Sequence, residues 1–184
     1  SIWQGKAEFP RIDKDGHPVK YEYPMGQGAT AYRPPIPPDI RQLISERYGV
    51  QVPLEGSFWE WLQHHPEVPV LPTEGAKKAL SLLSQGYVGL ALLGVNSGVL
   101  KNETIGGEKV RKLHPELVPG LNALATSGRP MILAFDQDAK PKTRQNVTRA
   151  QLDLAFWLSQ AGCTVSLAQW NQSEGKGIDD VIVQ

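Results

Sequence analysis

From Glu67 onward, short apolar runs alternate with stretches of helical periodicity. Residues 68 to 73, 88 to 95, 131 to 136 and 163 to 170 are four runs too short for buried helices, each bounded by glycine, proline or polar residues. Between the first two, residues 75 to 85 read as a helix stopped by Gly86, and a long helix from about Thr143 to Ala161 precedes the last run. Pro115 opens a further predicted helix to about Ser127, whereas 96 to 115, with Asn96-Ser97-Gly98 and Ile105-Gly106-Gly107, reads as a loose connection. Strands apolar on both faces and separated by helices predict an α/β fold: a parallel four-stranded sheet flanked by helices.

The pattern before Glu67 is different. Gly16-His17-Pro18, Met25-Gly26-Gln27-Gly28 and Arg33-Pro34-Pro35-Ile36-Pro37-Pro38 are turn and extended signals. Alternation at Val19 to Tyr23 predicts a strand, paired with Lys6 to Ile12 across the Asp13-Lys14-Asp15-Gly16 turn. Asp39 caps a predicted helix through Tyr48, and Ser57 caps a second over Phe58 to His64. Residues 1 to 66 are therefore expected to form a small N-terminal β/α appendage, and 67 to 184 the main domain.

Nineteen basic and nineteen acidic residues cancel, so no global field draws in nucleic acid, and binding must come from a local patch or a metal. A hydrophobic fraction of 40% suffices for a buried core. The single cysteine, Cys163, permits no internal disulfide and supports no zinc site, which fits a reducing, cytoplasmic setting. No run approaches the roughly 18 apolar residues of a membrane span, and no export signal opens the chain. The first residue is Ser1 rather than methionine, as expected of a piece of a longer protein.

Carboxylates fall where a parallel sheet gathers its ligands. Glu74 ends the first predicted strand, and Asp136 and Asp138 follow the third. In the strand order 2-1-3-4 those two strands are neighbours, and ligands bind beyond their carboxyl ends. Residues two apart on an extended chain point to one side, so Asp136 and Asp138 are placed to share a hard cation, Mg²⁺ or Mn²⁺. Taken singly, each acid is equally well a helix cap; together they repel one another unless a cation is present.

Positive charge lies close by. Gly75 opens the first helix of the main domain, with Lys77 and Lys78 in its first turn, where cations oppose the helix dipole and suggest an external anion or plain solvation. Gly94 and Asn96 sit in a compact turn suited to a phosphate. Lys140, Lys142, Arg144 and Arg149 follow the aspartate pair, either gripping a nucleic-acid backbone or forming a solvated basic face. The run Gly175-Lys176-Gly177-Ile178-Asp179-Asp180 is either a loop bringing Lys176 and Asp179 to the site or a capped final helix. His64 and His65 lack a third ligand at zinc spacing, Ser97 lacks a partnering histidine, and no Gly-Lys-Ser or Gly-Lys-Thr phosphate loop or dinucleotide fingerprint is present. The five tryptophans read as packing residues.

Glu74-Gly75 after a strand, Asp136-Gln137-Asp138 after a later strand and the closing Asp179-Asp180 resemble the Toprim domain of bacterial primases, type IA and type II topoisomerases and old-family nucleases. More closely, Lys20-Tyr21-Glu22, Phe58-Trp59, Thr73-Glu74-Gly75-Ala76-Lys77-Lys78-Ala79, Phe135-Asp136-Gln137-Asp138 and Gly175 to Asp180 resemble the Toprim-like domain near the N-terminus of large cyanobacterial plasmid and phage replication proteins, often joined to a helicase. The resemblance covers nearly the whole chain. It implies Glu74 as the catalytic general acid or base and Asp136 with Asp138 as the Mg²⁺ pair. DNA or RNA is the implied substrate, and the remainder of a replication protein the implied partner. Unlike primases, the chain carries no zinc module. The expected function is Mg²⁺-dependent phosphodiester chemistry, either nucleotidyl transfer or cleavage. The alternatives are a non-catalytic nucleic-acid or protein docking domain and a small phosphate-ester hydrolase.

Overall fold

A computed structural model describes residues 7–13, 16–19, 22, 29–171 and 173–182. Helices α1 (Pro38–Tyr48) and α2 (Phe58–Gln63) come first, followed by β1 (Leu71–Glu74), α3 (Ala76–Ser84) and β2 (Gly89–Leu92). A hairpin of β3 (Val99–Ile105) and β4 (Glu108–Leu117) leads through α4 (Pro119–Asn122) to β5 (Pro130–Leu133), α5 (Pro141–Gln160), β6 (Thr164–Leu167) and α6 (Ile178–Val181). The architecture is mixed α/β, as expected. Its strands form three two-stranded sheets: parallel β1 with β2, antiparallel β3 with β4, and parallel β5 with β6. Parallel bridges at Val70–Met131 and Thr73–Ala134 lay β1 beside β5.

Burial explains which runs became strands. All four residues of β2 are buried, as both faces of a covered parallel strand must be. Gly89 lets α3 approach closely, because a Cβ there would strike the Ala79 carbonyl. On the outer side of β2, Tyr32 and Ala91 exchange hydrogen bonds of 2.7 and 3.1 Å, so the segment before α1 covers that edge. One hydrophobic core joins the parts: Ile44, Phe58 and Leu62 pack in the same cluster as Val70, Leu90, Met131, Leu133, Leu154 and Leu158.

The stretch 96 to 115 departs from expectation. It is a long hairpin turning at Gly106 and Gly107, whose φ of 61° and 88° suit a tight two-residue connection. Its strands are largely exposed, so no apolar alternation betrays them. Pro115 lies within β4 rather than opening a helix, where the ladder slips between Leu100 and Asn102, and the helix expected from it shrinks to α4. The N-terminal strand pairing falls partly on Lys6, Lys14, Asp15, Lys20, Tyr21 and Tyr23, outside the described residues. Beside them Ile12 bridges Pro18, with Val19 N donating to Arg11 O at 2.8 Å.

Candidate functional site

The carboxyl ends of β1 and β5 are fixed side by side. The buried Thr73 hydroxyl donates to Ala134 O at 2.7 Å, and Ala134 N donates to Pro72 O at 3.0 Å. These bonds hold Glu74, the last residue of β1, near Asp136, just beyond β5. Burial pushes the Glu74 carboxyl above its ordinary range, and the adjacent Asp136 carboxylate adds to the rise while Lys78 and Lys176 oppose it. A carboxyl group so placed holds its proton more tightly than a free glutamate does, the direction that suits a general acid or base.

Three lysines answer the acids. Lys78 Nζ lies 3.1 Å from Asp136 Oδ1, and Lys176 Nζ lies 2.7 Å from Asp138 Oδ2 and 4.0 Å from Asp136 Oδ2. Lys77 Nζ reaches Asp179 Oδ2 at 2.9 Å from a side chain 86% exposed, so that pair is screened by water. The Lys176 hydrogen bond draws the Asp138 carboxyl below its usual range, helped by the Lys140 backbone N–H, which donates to Asp138 Oδ1 at 2.8 Å. Asp136 Oδ1 is buried and, despite the nearby ammonium, meets no donor in hydrogen-bond geometry among the described residues. Among the described residues no three His, Cys, Asp or Glu side chains stand as a ready ligand cage.

The closing segment resolves into both of its expected roles. Asp180 Oδ2 accepts from the backbone N–H groups of Lys176 and Gly177 at 3.1 and 3.0 Å, capping α6 and drawing its carboxyl pKa down. Asp179 is thereby left to face the cluster. Gly177 makes the convergence possible: a Cβ on it would strike Asp179 Oδ1, come within 2.8 Å of Lys78 Cε and lie 3.2 Å from Asp136 Oδ1. Gln137, which carries no charge to mark it, ties the segment in place. Its backbone N–H donates to Lys176 O at 2.9 Å, and its amide, oriented by its hydrogen bonds, donates to Trp170 O at 3.0 Å and accepts from Trp170 N at 2.8 Å. Sequence reasoning gave Gln137, Thr73 and Gly177 no part; their position inside the matched motifs was the available signal.

The remaining candidates divide. Gly75 has φ 84° and ψ 147°, a region essentially reserved for glycine, and this lets β1 turn directly into α3 with Glu74 at the corner. Gly94 and Asn96 follow β2 at the same edge, but among the described residues no hydrogen bond or ion pair joins them to the acids. Lys140, Lys142 and Arg144 are exposed around the start of α5.

Residues 58–184 match the family model described as Domain of unknown function (DUF3854). The chain belongs to this family. It is also similar to the protein named "Uncharacterized protein SYNPCC7002_B0001" from Picosynechococcus sp. (strain ATCC 27264 / PCC 7002 / PR-6), with 38% identity over 187 residues covering 100% of this chain and 18% of that protein. The chain thus spans under a fifth of the length of that relative. No solved structure matches it.

Proposed function

We propose that this domain is Toprim-like and performs Mg²⁺- or Mn²⁺-dependent phosphodiester chemistry on DNA or RNA, within a larger cytoplasmic replication protein that supplies a helicase or other domains. In this proposal the two parallel pairs act as one four-stranded sheet in the order β2-β1-β5-β6, an arrangement supported by the bridges between β1 and β5. The observation that carries the proposal is Glu74, a carboxyl of raised pKa held against Asp136 at the mouth of that sheet.

The donor set fits a hard cation. Glu74, Asp136, Asp138, Asp179 and Asp180 face Lys77, Lys78 and Lys176, so five acids and three bases leave a formal excess of two negative charges, that of one divalent ion. Asp136 and Asp138 would hold the ion, with Glu74 and Asp179 at its margin; Mg²⁺ commonly takes only one or two carboxylates and keeps its waters. When bound, it would supply Lewis-acid neutralisation of phosphate oxygens. Glu74 accepts a proton from the attacking hydroxyl or water, or returns one to the leaving oxygen, and the upward shift of its pKa strengthens it as a base. Lys78 and Lys176 steer the phosphate and balance the acids before substrate arrives.

A second reading has its own support. The ammonium groups at 2.7 and 3.1 Å already neutralise Asp138 and Asp136, as in a docking domain that keeps the fold without the chemistry. Calorimetric titration with Mn²⁺ separates the two: the chemical reading expects binding heat that Asp136→Asn with Asp138→Asn abolishes, whereas no heat from either protein leaves the docking reading. Glu74→Gln is expected to lower metal-dependent cleavage or nucleotidyl transfer by about 10² to 10⁴ while metal binding persists.

A further inference from the structure

On the far side of Asp136 from β1, a cavity of about 340 Å³ opens between α5 and the chain that follows β6. Asp136, Arg144, Thr148, Gln151, Gln169 and Trp170 line it. Its volume is at the small end for ligand pockets, room for one nucleotide and far too little for a duplex. The walls combine an indole, a guanidinium and three primary amides, of which that of Gln137 is taken up by the Trp170 backbone. The indole is held in place, since Trp170 Nε1 donates to Gly175 O at 3.0 Å and Gln137 grips the Trp170 backbone. By contrast, among the described residues no hydrogen bond occupies the side chains of Thr148, Gln151 or Gln169, which line the cavity.

We propose that this cavity is a nucleobase subsite: it takes one unpaired base, against Trp170 and within reach of Gln151, Gln169 and Thr148, with the attached phosphate paired with Arg144. The chemistry suits a base. An aromatic wall accepts any base by its π-face, and amides carrying both donors and acceptors match a base edge, while a lone phosphate would need neither. Asp136 belongs to both the acidic cluster and the cavity lining, so an occupant of the cavity brings its own phosphate to the cluster. The inference rests on the nucleic-acid reading above and deepens it, because it selects an unpaired residue over a base pair.

The test is equilibrium binding of a fluorescent oligothymidylate and of a strand of equal length made of abasic deoxyribose phosphates. The wild-type protein is expected to bind the base-bearing strand about tenfold more tightly. Thr148→Trp, a change at an exposed helix position that fills the cavity, should remove that preference; Gln151→Ala should weaken the preference without filling anything. Equal wild-type affinities for the two strands, or a preference that survives Thr148→Trp in a protein of unchanged circular dichroism, would overturn the subsite and leave the phosphate chemistry standing. Binding of neither strand would sink both. Displacement of the strand by thymidine monophosphate at comparable concentration assigns the cavity to free nucleotides, and displacement only by strands assigns it to a residue within a chain.

Discussion

At the amino end of β1 and β5 a guanidinium is sealed from water, whereas at the carboxyl end of the same strands five carboxylates and three ammonium groups share a half-open surface. Arg129, just before β5, is fully buried, and its two terminal nitrogens donate to the carbonyls of Leu62, His65 and Val68 at 2.6, 3.0 and 2.9 Å. Among the described residues no carboxylate forms an ion pair with it. The carbonyls belong to the end of α2 and the approach to β1, so one side chain fixes the helix-to-strand entry by geometry. Arg41 repeats the device, gathering the carbonyls of Ile36, Pro53, Glu55 and Gly56 at 2.6 to 3.1 Å. At the other end every cation faces an acid through a flexible side chain, and small movements would exchange one partner for another. Buried charge held by backbone dipoles serves architecture; paired charge at a sheet mouth stays free to be displaced by a ligand.

The largest effect expected from breaking this contrast is at Arg129. Arg129→Met keeps much of the volume but removes three charge-assisted bonds; Leu62 O and His65 O still accept from His65 N and Val68 N, while Val68 O is left without a donor among the described residues, and such a loss costs about 1.5 to 3 kcal/mol. Urea denaturation should show that loss in the midpoint. A fall below about 1 kcal/mol would mean that water replaces the guanidinium, and the amino end would then resemble the carboxyl end.

How far these two ends were legible in the sequence differs for the same reason. Glu74, Asp136 and Asp138 stand at the ends of apolar runs, and the expected strand order 2-1-3-4 sets those runs side by side, as the bridges between β1 and β5 do. Their partners were not legible. That Lys78 meets Asp136 while Lys77 turns to Asp179 depends on side-chain direction on α3, and that Gln137 grips Trp170 depends on a loop path without periodicity. Arg129 was invisible because its partners are backbone carbonyls, which every residue has. The β3–β4 hairpin was missed through its exposure, although Gly106-Gly107 between Ile105 and Glu108 was a hairpin signal in plain view.

A smaller effect sharpens the comparison through pH. Glu74 has a folded pKa above its ordinary 4.5, so the folded state holds that proton more tightly than the unfolded chain. Its favourable contribution is complete below that value and is lost as pH rises through the raised one. Asp138, lowered from 3.8 by Lys176, has the opposite sign: its contribution is present above 3.8 and fades as pH falls. Glu74→Gln should therefore melt higher than the wild type at pH 7, and the two curves should converge toward pH 4. Asp138→Asn should melt lower at pH 7 and converge only at stronger acid. Parallel melting curves for Glu74→Gln and wild type across that range would show that Glu74 is not under electrostatic strain, and the carboxyl end would lose its claim to a displaceable charge.

The smallest effect is expected from Lys140, Lys142 and Arg144, which lie next to the acidic cluster but belong to neither end's network. Their side chains are exposed around the start of α5, and only the Lys140 backbone, through its bond to Asp138, takes part in the cluster. Replacing all three with alanine should thus leave stability within about 0.5 kcal/mol. What should change is the salt dependence of nucleic-acid binding. Every phosphate that is no longer neutralised flattens the slope of log affinity against log salt by about 0.7 to 0.9. In a chain with no net charge these three residues are exposed cations close in sequence to Asp138. Binding isotherms from about 50 to 200 mM salt give the slope directly. An unchanged slope would move the proposed backbone-binding role to Lys78 and Lys176, placing it on the same residues as the proposed chemistry at the carboxyl ends of β1 and β5; a flattened slope would keep the two proposed roles on separate residues.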